Sequence, residues 1–176
     1  MHTVKVCYTD DISNKIEEIK SCMTHKGLDI EFSYASDFRN AKVLRDFVEI
    51  ILRLYKVDSR EIPRFILITD ELNNNAIEHG SLSNDVNYMR IFIHKGKKKI
   101  EISIEVEDSG KGKSSKNAKE MNQHKKNRLK DGFHHHKSIR GRGLFLIIIN
   151  IVNDLYFSDG KKGGLIVGIK KNLHYL

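Results

Sequence analysis

Hydrophobic and polar residues alternate in two short stretches near the N-terminus, residues 3–8 and 28–34. A period of two is typical of half-buried strands. Between these stretches apolar residues recur at helical spacing. Asp10 or Asp11 can cap the start of this helix, and Gly27 suits a left-handed conformation at its end. The pattern predicts a strand, a helix and a second strand.

Two helical patterns and then two alternating stretches follow. Apolar residues fall on one face over residues 38–55 and again from Pro63 to His79, where Gly80 ends the pattern. From there the period changes to two over residues 86–94 and 100–108, which predicts a pair of strands.

The C-terminal part combines a polar stretch, a very apolar stretch and a hairpin. The polar stretch after residue 110 is predicted to be a loop or a short helix that is not packed, and residues 143–152 are predicted to form a buried helix. Residues 154–158 and 165–170 are predicted strands around a glycine-rich turn. Together the elements predict an α+β fold, a two-layer α/β sandwich with helices on one face of a mixed β-sheet.

The positive charge of the chain is concentrated in one segment. The 176 residues carry a formal net charge of +8, but residues 111–142 hold eleven Lys and Arg against only Glu120 and Asp131. The rest of the chain is close to neutral, unlike the extended positive surface of a duplex-binding protein. Such a segment either meets phosphates or an acidic partner, or it is a solvated run of charge.

Composition excludes several classes of protein. Hydrophobic residues make up 39% and charged residues 31% of the chain, a balance that argues against disorder. Cys7 and Cys22 are too few for a disulfide scaffold or a four-cysteine zinc site. No apolar run approaches the ~20 residues of a membrane span, and the acidic N-terminus does not resemble a signal peptide. We therefore expect a cytoplasmic protein that does not bind membranes.

The predicted helix that ends at Gly80 carries a polar stripe beside its apolar face. Glu71, Asn75 and His79 are spaced by four residues, so they project from the same side of the helix. A carboxylate, a carboxamide and an imidazole at the edge of a buried face can form a site. They also fit an ordinary polar boundary.

A carboxylate falls on the apolar face of the strand over residues 100–108. Parity places Asp108 on the same face as Val106, where an unpaired charge is costly. Gly110 and Gly112 follow and leave room for another group. An acceptor at the floor of a glycine-edged pocket suits the exocyclic amine of adenine, and the alternative is a tight turn around a structurally paired aspartate.

The basic segment is followed directly by the predicted apolar helix, and the junction between them is Arg140, Gly141, Arg142 and Gly143. Free main-chain N–H groups at a helix start favour phosphate, and two guanidinium groups add to this. A plain helix start with a flexible lead-in is the alternative. Three histidines, residues 134–136, suggest a metal, but consecutive residues do not converge on one ion without a special turn.

Together these three motifs resemble a known superfamily. Glu-x-x-x-Asn-Ala-x-x-His-Gly on a helix, Asp-x-Gly-x-Gly after a strand and Gly-x-Gly-Leu before an apolar helix resemble the GHKL (Bergerat-fold) ATPases, over about residues 28–171. The phrases NAIEHG and GRGLFLI look most like its anti-sigma-factor serine/threonine kinase branch. The resemblance implies a Bergerat-type ATP-binding fold with ATP and Mg²⁺ as cofactors.

The resemblance also implies roles for individual residues. Glu71 would be the general base, Asn75 the Mg²⁺ ligand and Asp108 the acceptor for the adenine amine. Gly110 would leave room for the adenine ring, and Gly112 would be the hinge of an ATP lid. The ATP-binding set implied in this way is Asn75, His79, Asp108, Gly110, Gly112, Arg140, Gly141, Arg142, Gly143 and Leu144.

By the same resemblance, residues 28–176 form the ATPase domain and contain the lid at about residues 113–140. Residues 1–27 are then an N-terminal strand–helix extension. The superfamily usually has a threonine beside the adenine-binding aspartate. Here the corresponding residue is Leu165, so one contact to the base is missing.

The resulting hypothesis is a serine/threonine protein kinase. Its substrate would be a small anti-anti-sigma-like protein, a sigma factor would be a second partner, and transcription would be regulated by partner switching. A homodimer is left open. The alternative is a nucleotide-gated interaction module that binds ATP without transferring phosphate. A direct nucleic-acid binder is disfavoured because Phe133 is the only aromatic residue among the clustered lysines.

Overall fold

Six strands form one mixed β-sheet in the computed structural model, which describes residues 2–113, 116–131, 148 and 150–175. The strands within these residues are β1 (His2–Val6), β2 (Gly27–Ala35), β3 (Val86–Lys95), β4 (Lys99–Glu107), β5 (Asp154–Asp159) and β6 (Leu165–His174). The helices are α1 (Ile12–Cys22), α2 (Asn40–Leu54), α3 (Ile62–Asn75) and α4 (Ala118–Asp131), and a π-helical turn (Ala76–Gly80) continues α3.

The strands lie in the order β1-β2-β3-β4-β6-β5. β1 runs parallel to β2, and the other neighbouring pairs are antiparallel. α1 makes the crossover that a parallel pair requires. β3 and β4 form a hairpin whose register pairs Tyr88 with Glu107, so the start of β3 and the end of β4 share one end of the sheet.

The hydrophobic core lies on one face of this sheet. Phe32 of β2 stacks on Phe47 of α2 with ring centroids 5.3 Å apart, and Phe65 of α3 joins the same buried cluster. The opposite face carries polar pairs such as Arg90 with Asp29. The predicted α+β sandwich, with its helices on one face of a mixed sheet, is confirmed.

α1 is shorter than the sequence pattern predicted. Asp11 caps it by accepting a hydrogen bond from the Ser13 main-chain N–H at 2.9 Å. The helix ends at Cys22, and Gly27 begins β2 instead of ending α1. Gly27 has a φ of 150°, and a Cβ there would lie 1.9 Å from the Ile93 carbonyl oxygen. The close approach of β3, not a helix end, therefore requires this glycine.

The helix predicted from Pro63 to His79 is two elements. The α-helical part stops at Asn75, and the chain widens into the π-helical turn before Gly80. The Gly80 carbonyl oxygen accepts a hydrogen bond from the Gly112 main-chain N–H at 3.0 Å. A carbonyl group at the end of a helix is satisfied in this way by a segment outside the helix.

The first part of the basic segment is a packed helix, so the prediction of an unpacked stretch was wrong. α4 has 14 residues and lies along β5. Asn122 Nδ2 donates to the Phe157 carbonyl oxygen at 3.2 Å, and Lys125 Nζ donates to the carbonyl oxygen of Leu155. An edge strand leaves main-chain groups without partners, and α4 supplies donors to those of β5.

The predicted helix over residues 143–152 is seen in part. Residues 148, 150 and 151 are helical, whereas residues 143–147 lie outside the described part of the chain. β5 and β6 form the predicted hairpin. Among the helices described, none is long and apolar enough to cross a membrane.

Candidate functional site

A cavity of about 310 Å³ lies between α3, the strands β4 to β6 and α4. Its apolar lining includes Val106, Leu155, Phe157, Leu165 and Val167. Polar groups reach it from Glu71, Asn75, His79, Asp108 and Lys116. A mainly apolar cavity with a few converging polar groups is the usual form of a small-molecule site.

Asp108 is held at the end of β4 by main-chain groups. Its side chain is buried, since the residue is only 7% exposed. The Oδ1 atom accepts a hydrogen bond from Gly110 N–H at 2.8 Å and another from Leu165 N–H at 3.0 Å. The Asp108 N–H donates in turn to the Leu165 carbonyl oxygen at 3.2 Å. The main chain of Leu165, not its side chain, therefore orients this carboxylate.

Two glycines make room for the Asp108 carboxylate. A Cβ on Gly80 would lie 2.0 Å from Asp108 Oδ2, and a Cβ on Gly164 would lie 1.8 Å from the Asp108 carbonyl oxygen. No side chain larger than hydrogen fits at either place without moving Asp108. Gly110, with a φ of 70°, makes the turn that brings its N–H back to the carboxylate.

The Asp108 carboxylate is suited to accept a hydrogen bond from a bound ligand. Burial raises the pKa of its carboxyl group, and the hydrogen bonds from Leu165 and Gly110 oppose this rise. Both of these donors bind Oδ1, so Oδ2 has no hydrogen-bond partner among the described residues. Asp108 lines the cavity, so its Oδ2 atom is available to accept a hydrogen bond from an amine of a bound ligand.

Glu71 and Asn75 lie one turn apart on α3, as predicted. Asn75 Nδ2 donates to Glu71 Oε1 at 3.3 Å, and both side chains are half-buried. Burial raises the pKa of the Glu71 carboxyl group, whereas the Asn75 hydrogen bond lowers it. A carboxylate whose pKa is raised holds a proton more readily, which is the property that a general base needs.

Three consecutive asparagines have different surroundings. Asn73 is buried, accepts a hydrogen bond from the Tyr34 hydroxyl and donates to the Thr69 carbonyl oxygen at 2.8 Å. Asn74 and Asn75 are only partly buried, and Asn75 lines the cavity. Asn73 is thus part of the core and Asn75 part of the site, a distinction that follows from their angular separation on the helix.

His79 lies at the rim of the cavity, on the π-helical turn. Its imidazole is exposed, and its Nε2 atom lies 4.0 Å from Glu78 Oε2. The predicted stripe of three polar residues therefore does reach one cavity. The third of them is the most solvated.

Gly112 is needed for close packing. A Cβ there would lie 2.1 Å from the His79 carbonyl oxygen, and its N–H donates to the Gly80 carbonyl oxygen. The resemblance implied a hinge at this glycine. The observed contacts give it a structural role, which is to join the segment after β4 to the π-helical turn.

Several residues that line the cavity or contact Asp108 were not among the predicted site residues. Gly80 appeared only as a helix end, although it stands in the motif NAIEHG, and Gly164 appeared only in a glycine-rich turn. Met121 and His124 of α4 also line the cavity. The pairing of β4 with β6 brings Gly164 to Asp108, and a local sequence pattern does not contain that contact.

Part of the predicted site lies outside the described residues. This holds for Arg140, Gly141, Arg142, Gly143 and Leu144, and for the three histidines at 134–136. Within the described ranges, no group of three or more His, Cys, Asp or Glu residues is placed to hold a metal ion. A metal held through Asn75 with phosphate oxygens would not form such a group.

Comparison with known proteins agrees with this architecture. The family model of the histidine kinase-like ATPase domain matches residues 34–171, which include the whole cavity lining described above. No curated protein sequence matches the chain.

Proposed function

The chain belongs to the histidine kinase-like ATPase domain family, and from that premise we propose that it is an ATP- and Mg²⁺-dependent serine/threonine protein kinase of the anti-sigma-factor type. The observation that carries the proposal is the pair of Glu71 and Asn75 on the wall of the cavity that also contains Asp108. A general base (Glu71), a metal ligand (Asn75) and a hydrogen-bond acceptor for the adenine amine (Asp108) would then share one cavity.

The base of ATP would occupy the apolar end of the cavity. Asp108 Oδ2 would accept a hydrogen bond from the exocyclic amine, while Leu165 and Val167 provide apolar contacts to the ring. Guanine carries a carbonyl oxygen where adenine carries the amine, so it would place an acceptor against a carboxylate. The arrangement therefore favours ATP over GTP.

The polar end of the cavity suits a triphosphate with a divalent cation. Asn75 uses its Nδ2 atom on Glu71, so its Oδ1 atom is the one available as a ligand, and Mg²⁺ prefers oxygen ligands. Bound Mg²⁺ would neutralise negative charge on the phosphates. Lys116, which lines the cavity, adds positive charge from the start of the basic segment.

Glu71 would act on the hydroxyl group of the protein substrate. The hydroxyl oxygen forms a bond to the γ-phosphorus, the bond from that phosphorus to the ADP oxygen breaks, and Glu71 takes the hydroxyl proton. Phosphoryl transfer depends mainly on positioning and electrostatics, so a general base, a Mg²⁺ site and a cationic lid would form a minimal set of groups for it. The raised pKa of Glu71 supports this role.

We propose a small anti-anti-sigma-like protein as the substrate and a sigma factor as the competing partner. Phosphorylation of the first would release it and leave the kinase free to hold the second, which is regulation by partner switching. This part of the proposal rests on the motif resemblance at NAIEHG and GRGLFLI.

One observation favours a second candidate, a nucleotide-gated interaction module. α4 contributes Met121 and His124 to the cavity and is attached to the edge strand β5 through Asn122. A nucleotide in the cavity would therefore contact an element at the protein surface. Such a module would change its partners with nucleotide but would transfer no phosphate.

One experiment separates the two candidates. The immobilised protein, loaded with ATP or ADP, is used to capture partners, and each captured protein is then incubated with it and γ-labelled ATP. The kinase proposal predicts label on a serine or threonine of a partner, located by mass spectrometry. Nucleotide-dependent capture with no transfer to any captured partner would support the module and contradict the kinase.

A further inference from the structure

The turn between β5 and β6, residues 160–164, is attached to both faces of the sheet. On the cavity face, its last glycine and Leu165 contact Asp108, as described above. On the opposite face, Lys162 reaches across three strands. The turn thus connects the Asp108 carboxylate with a group of charged residues on the other side of the sheet.

Lys162 makes three contacts on that opposite face. Its Nζ atom lies 2.8 Å from Glu31 Oε2 of β2 and 3.2 Å from the centroid of the Tyr88 ring of β3. Its main-chain N–H donates to Glu107 Oε1 of β4 at 2.7 Å. The turn is therefore attached through both the side chain and the main chain of one residue.

The carboxylates that hold Lys162 are buried. Glu31 is 7% exposed and Glu107 is 8% exposed. A buried carboxylate is costly without a partner, so the geometry of this cluster is strongly determined. Thr3 Oγ1 of β1 donates to the second oxygen of Glu31 at 3.1 Å, which fixes that carboxylate from its other side.

Only two residues separate Lys162 from Leu165, and the turn between them is tight. The Gly160 N–H donates to the Gly164 carbonyl oxygen at 2.7 Å, and a Cβ on Gly160 would lie 2.2 Å from Glu107 Oε1. We therefore expect a shift of Lys162 to move the Leu165 N–H, which is one of the two donors to Asp108 Oδ1.

We propose that Lys162 is a positioning residue of the adenine subsite: anchored by Glu31, Glu107 and Tyr88, it sets the place of the Leu165 N–H and through it the direction of the Asp108 carboxylate. The inference rests on the proposed role of Asp108 toward adenine. Glu31 and Thr3 precede the matched residues 34–171, so part of this anchor comes from outside the matched region.

The test compares two nucleotides in a paired variant. Lys162→Met with Glu31→Gln removes the ion pair without leaving a buried charge, and methionine retains contact with the Tyr88 ring. Affinities are measured by calorimetry for ATP and for purine riboside triphosphate, which lacks the exocyclic amine. We expect the affinity for ATP to fall about tenfold and the affinity for the analogue to change less than about twofold.

Two reference variants make the result specific. Lys161→Met changes the neighbouring exposed lysine, which has no ion pair among the described residues, and should leave both affinities unchanged. Asp108→Asn should already have lost the preference for ATP, so adding the paired change to it should not alter the ratio further. Should the paired variant fail to fold, Lys162→Met alone removes the same side-chain anchor, and Thr3 still donates to Glu31.

An unchanged ratio of the two affinities in the paired variant would overturn the inference, even if stability fell. Equal losses for both nucleotides would do the same, since a merely structural role predicts them. Equal affinity of the parent protein for ATP and the analogue would instead refute the role of Asp108 toward adenine, and this inference with it. Because only binding is measured, absence of phosphotransfer leaves the inference intact.

Discussion

The two ends of the cavity are built differently. At one end, Asp108 is oriented by main-chain N–H groups and enclosed by glycines. At the other end, Glu71 and Asn75 are half-buried side chains on α3, joined to each other by a single hydrogen bond of 3.3 Å. The first end depends on the shape of the backbone, whereas the second depends on the identity of two side chains.

This difference determines what a substitution does at each end. At the Asp108 end, an added methyl group displaces the carboxylate that it contacts, so shape and binding change together. At the α3 end, a side chain can be shortened without moving the helix, so chemistry changes while the fold persists. Substitutions at the two ends should therefore give different combinations of rate, affinity and stability.

The largest effect is expected at the α3 end, from Glu71→Ala. Removal of a general base typically costs about 10²–10⁴-fold in rate. The groups proposed to hold ATP remain, so kcat for phosphotransfer should fall while nucleotide affinity stays within about twofold of the parent. Transfer of labelled phosphate to the cognate partner and ATP titration are the two measurements.

Glu78→Ala is the matched control for this change, because Glu78 lies on the adjoining turn and is exposed. It should leave ATP affinity unchanged and lower kcat far less than Glu71→Ala does, since Glu78 only contributes its charge to the raised pKa of Glu71. Full phosphotransfer by the Glu71→Ala protein would remove Glu71 from the mechanism. A joint loss of ATP affinity and melting temperature would show that Glu71 is structural.

The next effect is expected at the Asp108 end, from Gly80→Ala. The new Cβ would meet Asp108 Oδ2 at 2.0 Å, so the carboxylate has to move. Loss of a hydrogen bond to a charged group corresponds to about 10- to 100-fold in affinity, and we expect ATP binding to weaken by that factor. Gly96→Ala in the β3–β4 turn is the control. Unchanged ATP affinity would contradict the proposed contact.

Much of the fold followed from local patterns because those patterns report burial. The period-two stretches became β3 and β4, and the helical stretch over residues 38–55 became α2, since one buried face is sufficient to define each. The errors lie where distant segments meet. Gly27 is determined by β3, the π-helical turn meets Gly112, and α4 is stabilised along β5.

The candidate site divides in the same way. Glu71 and Asn75 were recognisable because they form a polar stripe at helical spacing, and Asp108 because it falls on the apolar face of a strand. Gly80 and Gly164 were not recognised as parts of the site, since their function is to leave space for a carboxylate distant in sequence. Space of this kind depends on the strand register, which the local sequence does not determine.

A smaller effect is expected from Asn75→Ala. If the Asn75 amide oxygen is a Mg²⁺ ligand, the gain in ATP affinity that Mg²⁺ provides should fall about tenfold, which corresponds to about 1.4 kcal/mol. ATP titrations with and without Mg²⁺ measure this gain. Asn74→Ala is the control, since Asn73 holds Tyr34 in the core and is unsuitable. An equal loss in the Asn74 variant would indicate damage to α3 and not loss of a ligand.

The smallest effect is a gain in stability from Glu71→Gln. Burial raises the pKa of Glu71 in the folded protein, so folding favours the protonated carboxyl group. The stability linked to this proton is present below the pKa of the unfolded chain and is lost as pH rises through the folded pKa.

Glutamine has no such titration, so the Glu71→Gln variant should melt slightly higher than the parent at neutral pH and equally at acidic pH. Melting curves at the two pH values, with Glu17→Gln of α1, an exposed glutamate away from Glu71, as control, measure this difference. A difference that is the same at both pH values would show that the charge of Glu71 does not cause it.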